Sequence, residues 1–150
     1  MLDDSVIRAR IIRSMSLACA GEAFKIPPNV PDIGPLEDTD ILLLLFRDLD
    51  CWTAISREKL FSRMEGGFGE FPIEEVGEKI HDYLFFPGTK EVERDFVIVD
   101  GKRIWVLSNT VCCGIQNIIL MLERDVLKFE RDSTANNSSV RRQNFRVYRI

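Results

Sequence analysis

DILLLLFRDL, residues 40–49, is apolar around most of a helical circumference. That pattern suits a short helix buried at the centre of a domain rather than one lying on its surface. A cap signal at Asp38 or Thr39 precedes it. Just downstream, Ser56 is placed to cap REKLFSRM, with Leu60, Phe61 and Met64 facing inward. Lys59 and Arg63 lie outward on that segment at the i, i+4 spacing. The glycine-rich stretch GGFGEF then reads as a turn leading to Pro72, well placed at the first position of a third helix, PIEEVGEKIHDYLF. Its core stripe is Ile73, Val76, Ile80 and Tyr83 or Leu84, and Pro87-Gly88 stops it.

The flanks are simpler. Residues 3–20 form an amphipathic pattern, Ile7, Ile11, Met15 and Ala18 falling on one stripe. KIPPNVPDIGP, 25–35, cannot continue a helix and favours an extended linker. FVIVDGKRIWVL, 96–107, is a hairpin signal, because Asp100 and Gly101 tolerate the positive φ of a tight type I′ turn. After a candidate cap at Ser108 or Asn109, a long helix covers about 110–131, with Ile115, Ile118, Ile119, Leu122, Val126 and Phe129 as its stripe. DSTANNSS is a polar break, and FRVYRI at the end alternates like a strand. The expected fold class is α+β, with three short helices, a β-hairpin, an N-terminal amphipathic helix and a long C-terminal helix. The expected organisation is an N-terminal helix at 1–24, a proline-rich linker at 25–35, a core at 36–131 and an arginine-rich tail at 132–150.

The order of elements over residues 38–131, together with SREKLFSRM, resembles the winged helix-turn-helix arrangement, whose second helix that stretch is similar to. The resemblance implies a nucleic-acid or protein-binding module, since families with this fold include both and fold alone does not license function.

Composition narrows the function classes. No apolar run approaches the roughly 20 residues that cross a bilayer. Asp3 and Asp4 stand where a secretory signal carries positive charge, and Arg8, Arg10 and Arg13 interrupt any apolar segment, so a cytoplasmic or nuclear protein with no membrane partner is expected. Cys19, Cys51, Cys112 and Cys113 lack CxxC spacing, and His81 is the sole histidine, which leaves little for a zinc site. Buried, reduced thiols are the expectation. No metal or cofactor is expected, and no small-molecule substrate is evident. GGFGEF lacks the Lys-Ser/Thr of a phosphate-binding loop, and no Ser or Cys has a base placed to activate it. The expected protein is therefore not an enzyme.

Charge supplies the binding candidates. Residues 22–95 carry 8 bases against 17 acids, whereas residues 96–150 carry 9 bases against 5 acids. Arg141, Arg142, Arg146 and Arg149 crowd the tail with Phe145 and Tyr148 between them, and Lys102 and Arg103 tip the hairpin. These six cations are the candidate contacts to a DNA or RNA backbone, through phosphate neutralisation. Trp52 and Trp105 could stack on bases, although tryptophans among apolar neighbours are more often core. Glu74, Glu78 and Asp82 repeat at four residues along one helix face, which opposes insertion of that helix into a DNA groove. The expected function is a regulatory or assembly domain that contacts nucleic acid without sequence specificity. The alternative is a protein–protein adaptor whose acidic third helix meets a basic partner. A wide apolar stripe on the long helix also suggests a homo-oligomer.

Overall fold

In a computed structural model, which describes residues 2–18, 24–36, 39–85 and 95–134 but not the side chains of 81–85 and 126–134, the apolar run at 41–46 is extended. Ile41–Asp48 is a strand, not the buried helix its composition suggests. A run without polar positions is ambiguous between a buried helix and a strand covered on both faces. Here both faces are covered: Leu43 and Leu45 enter the main core, while Ile41 and Leu44 enter a second cluster on the opposite side.

In chain order the elements are helix α1 (Asp4–Ala18), strand β1 (Phe24–Lys25), a short helical turn at Gly34–Leu36, strands β2 (Ile41–Asp48), β3 (Cys51–Ser56), β4 (Lys59–Met64) and β5 (Gly67–Pro72), helix α2 (Ile73–Phe85), strands β6 (Phe96–Val99) and β7 (Lys102–Trp105), and helix α3 (Asn109–Thr134). The fold is mixed α+β. Strands β1 to β5 make one antiparallel meander in sequence order, and β6 with β7 makes a separate hairpin.

SREKLFSRM is the second correction. It forms the end of β3, a turn and β4 rather than a helix, so the stretch that carries the winged-helix resemblance is strand and turn. The capping chemistry of Ser56 is present but serves that turn: its Oγ accepts the N–H groups of Lys59 at 3.0 Å and Glu58 at 3.4 Å. Leu60 and Phe61 consequently point to opposite faces, one into each core cluster. Of the three short helices expected, 73–85 alone is helical. GGFGEF is also largely strand. Its turn lies one residue earlier, where Glu65 (φ 50°) and Gly66 (φ 81°) form a two-residue hairpin connection and Met64 pairs with Gly67.

Other local signals are realised as read. Asp100 (φ 53°) and Gly101 (φ 78°) turn the hairpin, with Val99 opposite Lys102. Ser108 Oγ accepts the Val111 N–H at 3.2 Å and caps α3. The buried stripes are Ile7, Ile11 and Met15 on α1, Ile73, Val76 and Ile80 on α2, and Ile115, Ile118, Ile119 and Leu122 on α3.

The hairpin and the three helices share the main core with the inner face of the meander. Residues 30–36 lie on its outer face, where Val30, Ile33 and Leu36 pack with Ile41, Leu44, Trp52, Ala54 and Phe61.

One polar link joins hairpin and meander. The amide of Trp105 faces away from β6, since the neighbouring Val106 N–H is the one bonded to Asp95 O. Two hydroxyls of the meander take the place of a third strand. Thr53 Oγ1 donates to Trp105 O at 2.5 Å, and Ser62 Oγ accepts the Trp105 N–H at 3.0 Å. The hydroxyls themselves lie 2.9 Å apart. Thr53 has spent its one proton on the carbonyl, so the Ser62 proton is shared between Thr53 Oγ1 and Trp52 O, 3.3 Å away. Both residues are buried.

The helices cross closely at glycines. A methyl on Gly114 of α3 would meet Met15 Cε of α1 at 2.7 Å, and one on Gly77 of α2 would meet Ile119 Cγ2 at 2.8 Å and Glu123 Oε1 at 3.0 Å. A further link fastens the N-terminal segment. The buried Asp125 carboxylate accepts Leu2 N–H at 2.6 Å and Arg57 Nη1 at 3.4 Å, while Arg57 Nη2 donates to Leu2 O at 3.1 Å and to Asp4 at 2.5 Å.

Ser62→Ala orphans the buried Trp105 N–H and should cost about 1–3 kcal/mol of folding stability in urea titration. Gly114→Ala gains about 1 kcal/mol of helix propensity and displaces only the flexible end of Met15, so it should stay within about 1 kcal/mol of wild type. Gly77→Ala presses on the branched Ile119 and a buried carboxylate and should lose about 1–3 kcal/mol. Equal stability of the two alanine variants would contradict this packing.

Candidate functional site

The hairpin tip offers less positive charge than its sequence implies. Arg103 Nη1 lies 2.5 Å from Glu65 Oε2, and its guanidinium stacks 4.7 Å above the Phe96 ring. Asp100 receives the Lys79 ammonium on both oxygens, at 3.0 and 2.7 Å. That hydrogen bond holds the lysine above its ordinary pKa. Lys102 is exposed and, among the described residues, has no ion-pair partner. Arg141, Arg142, Arg146 and Arg149 lie outside the described residues.

Glu74, Glu75 and Glu78 are exposed along α2, and none pairs with a cation among the described residues. Asp82 continues the helix, its side chain outside the description. The stripe is therefore a solvated acidic face whose neighbouring cation, Lys79, is held by the hairpin. On α1, Arg8, Arg10 and Arg13 are exposed and likewise unpaired among the described residues. A cleft of about 920 Å³ runs from Asp4 and Arg8 past the β3–β4 turn to Phe61 and Phe68. It mixes both signs of charge, Asp40 and Glu58 among them.

Neither tryptophan is available to a base: Trp52 is 0% and Trp105 2% exposed. Cys51 and Cys112 are buried and Cys113 is exposed. Burial, the largest cause, raises both buried thiols, and Cys112 rises from an ordinary 9.0 to about 12 with a smaller push from Cys113. Neither is a thiolate near neutral pH. The side chain of His81 lies outside the description, and no group of three or more metal-ligating side chains occurs among the described residues.

The arrangement that sequence pattern missed is on the outer face of the meander. Strand register aligns Phe46, Trp52, Arg63 and Phe68 in one row across β2, β3, β4 and β5. Phe46 and Arg63 are partly buried, and Phe68 is 40% exposed. The Phe68 ring sits 6.0 Å from Trp52 and 6.4 Å from Phe61, centre to centre. Trp52 Nε1 and Arg63 Nε are both buried without a hydrogen-bond partner. They belong to directly opposed residues on the same face. Arg63 also has no carboxylate among the described residues, whereas Arg47 lies 3.7 Å from Asp48 and Arg103 is bound to Glu65. A helical assignment of 56–64 hid this row, because cross-strand neighbours are defined by register alone.

The fold and its surfaces thus define an α+β domain with one aromatic, guanidinium-bearing sheet face and oppositely charged helices. No family model matches the chain, and no curated protein or solved structure does so either. No helix among the described residues is long and apolar enough to cross a membrane.

At pH 8, brief iodoacetamide treatment of the folded protein should label Cys113 and spare Cys51 and Cys112, as read by peptide mass spectrometry. Because the folded Cys112 thiol titrates near 12 and the unfolded one near 9.0, stability should fall as pH rises from about 9 towards 12. Rapid labelling of Cys112 in the folded state would contradict its burial.

Proposed function

We propose that this chain is a non-enzymatic protein-interaction domain whose contact surface is the outer face of the meander around Arg63. One observation carries the reading: Arg63, partly buried and without a carboxylate partner among the described residues, lies in one cross-strand row with the partly buried Phe46 and the 40% exposed Phe68. A partner supplying a polar group to the guanidinium and an apolar group to the exposed Phe68 ring covers this face. Aromatic and arginine side chains are also the residues that most often dominate the energetics of protein interfaces. The exposed carboxylates of Glu74, Glu75 and Glu78 give the same domain a second polar face for a basic partner.

Nucleic-acid contact is the second reading, favoured by Arg8, Arg10 and Arg13, which remain exposed and unpaired among the described residues on one helix. With Lys102 and the tail arginines Arg141, Arg142, Arg146 and Arg149 they would neutralise phosphates without reading bases.

Selection from a displayed random-peptide library separates the two. The protein-interaction reading expects enriched peptides whose binding drops at least about tenfold with Phe68→Ala, and enrichment indifferent to that change would remove it. The nucleic-acid reading expects retardation of RNA or DNA that weakens steeply with salt and is reduced by Arg10→Ala with Arg13→Ala. Absence of any shift at low salt would end it.

A further inference from the structure

We infer that the helical face of this domain docks a second copy of the chain, the basic flank of α1 meeting the acidic flank of α2 on both sides of a two-fold axis along α3. The inference takes up the acidic-face part of the reading above, names its basic partner, and does not depend on the Phe68 face. On α3, Gly114 lies against Met15 of α1, and Ile119 lies against Gly77 of α2. Five residues turn a helix by about 140°, so α1 and α2 occupy different flanks of α3. Between those flanks α3 presents to the outside the exposed Cys113 and Asn117 and the half-buried Leu120 and Met121.

The two charged flanks stand at the same height along α3. A groove of about 220 Å³ between α1 and α3 is lined by Arg10, Arg13, Ser14, Asn117, Ile118 and Met121, with no carboxylate. On the other flank, Gly77 packs at Ile119 and Glu123, and Glu74 and Glu78 lie within about one helical turn of it. Arg10, Arg13, Glu74 and Glu78 are all exposed and unpaired among the described residues. A two-fold axis parallel to α3 preserves height and exchanges the flanks. It sets Arg10 and Arg13 of each copy over Glu74 and Glu78 of the other, with α3 against α3. Such a contact is self-complementary and closes at two copies.

The pairing of signs decides the occupant. A polyanion laid across this face suits α1 and is repelled by α2, and a polycation meets the reverse. A surface with both signs in exchanged order satisfies both flanks, and the chain itself carries one. Charge here sets register more than affinity. Apolar contact comes from Leu120 and Met121 at the centre and from Leu17, which is 81% exposed and one turn beyond Arg13 on the same side of α1. Arg124 lies about 10 Å beyond Asn117 along α3 and is already engaged within its own chain. The outer face of the meander, across the sheet from the helices, stays open in both copies.

The test measures the mass of the full chain by light scattering over a range of concentrations, at low and high salt. The mass should approach that of two chains as concentration rises, and salt should weaken the association. Arg10→Glu with Arg13→Glu, or Glu74→Lys with Glu78→Lys, should weaken it at least about tenfold, because like charges then face each other. Mixing the two variants makes both flanks complementary again and should restore the dimer. In the wild-type dimer a short bis-maleimide should join Cys113 to Cys113 of the second copy, as read by peptide mass spectrometry. A monomer under every condition overturns the inference, as does a dimer without that link. Failure of rescue between variants whose amide spectra stay native overturns it too. A dimer indifferent to both reversals also overturns it, and its loss with Phe68→Ala would place the contact on the meander. Whatever the outcome, the peptide selection above still tests the Phe68 reading separately.

Discussion

Two hydroxyl groups govern how this domain is put together. A two-stranded hairpin is marginal alone in water, and β7 has an outer edge that β6 cannot satisfy. Thr53 and Ser62 satisfy it at Trp105, from inside the meander. That attachment directs Val97, Val99 and Ile104 into the main core and fixes where the chain enters α3. Helix α3 then acts as the spine on which α1 and α2 both pack. Replacement by apolar groups would leave a buried peptide unit unpaired, so the polarity of these two positions is structural in origin.

The sequence was legible wherever a signal was local. Asp100-Gly101 demanded a turn, Ser108 a cap, and the stripes of α1, α2 and α3 their buried sides. Legibility failed where two structures satisfy one pattern. ILLLLF is apolar at every position, and neither helical nor strand periodicity can be extracted from a run without polar residues. Ser56 shows a subtler failure: a hydroxyl that caps a helix and one that closes a turn make the same bond to a nearby N–H. Once 40–49 and 56–64 are assigned as helices, the mistake propagates. Arg63 becomes an outward helical residue, and its neighbours Trp52 and Phe68, eleven and five positions away in the chain, vanish from view. The acidic stripe of α2 survived because it depended on one helix only.

Pairing sorts the charged residues in a way that composition cannot. Arg103, Arg57, Lys59 and Lys79 each have a carboxylate within the domain, and such residues contribute to architecture before they contribute to recognition. Those without one among the described residues, Arg8, Arg10, Arg13, Lys25, Arg63 and Lys102, retain their full field for an outside group. Four of the six are solvated and lose little by waiting. Lys25 and Arg63 are partly buried, and Arg63 has its Nε shut off from solvent.

The bond between Leu2 N–H and Asp125 has a practical corollary for anyone shortening the chain. The first turn of α1 is usually regarded as expendable in a recombinant design, yet here its approach supplies a donor to a carboxylate with 4% side-chain exposure and a carbonyl to Arg57. Trimming through Asp4 removes a donor from Asp125, a carbonyl and a carboxylate from Arg57, and Asp3, whose Oδ1 accepts the Ser5 N–H at 3.3 Å and caps the first helix. The contacts that hold the domain together therefore reach back to Leu2, two residues before the first helix begins.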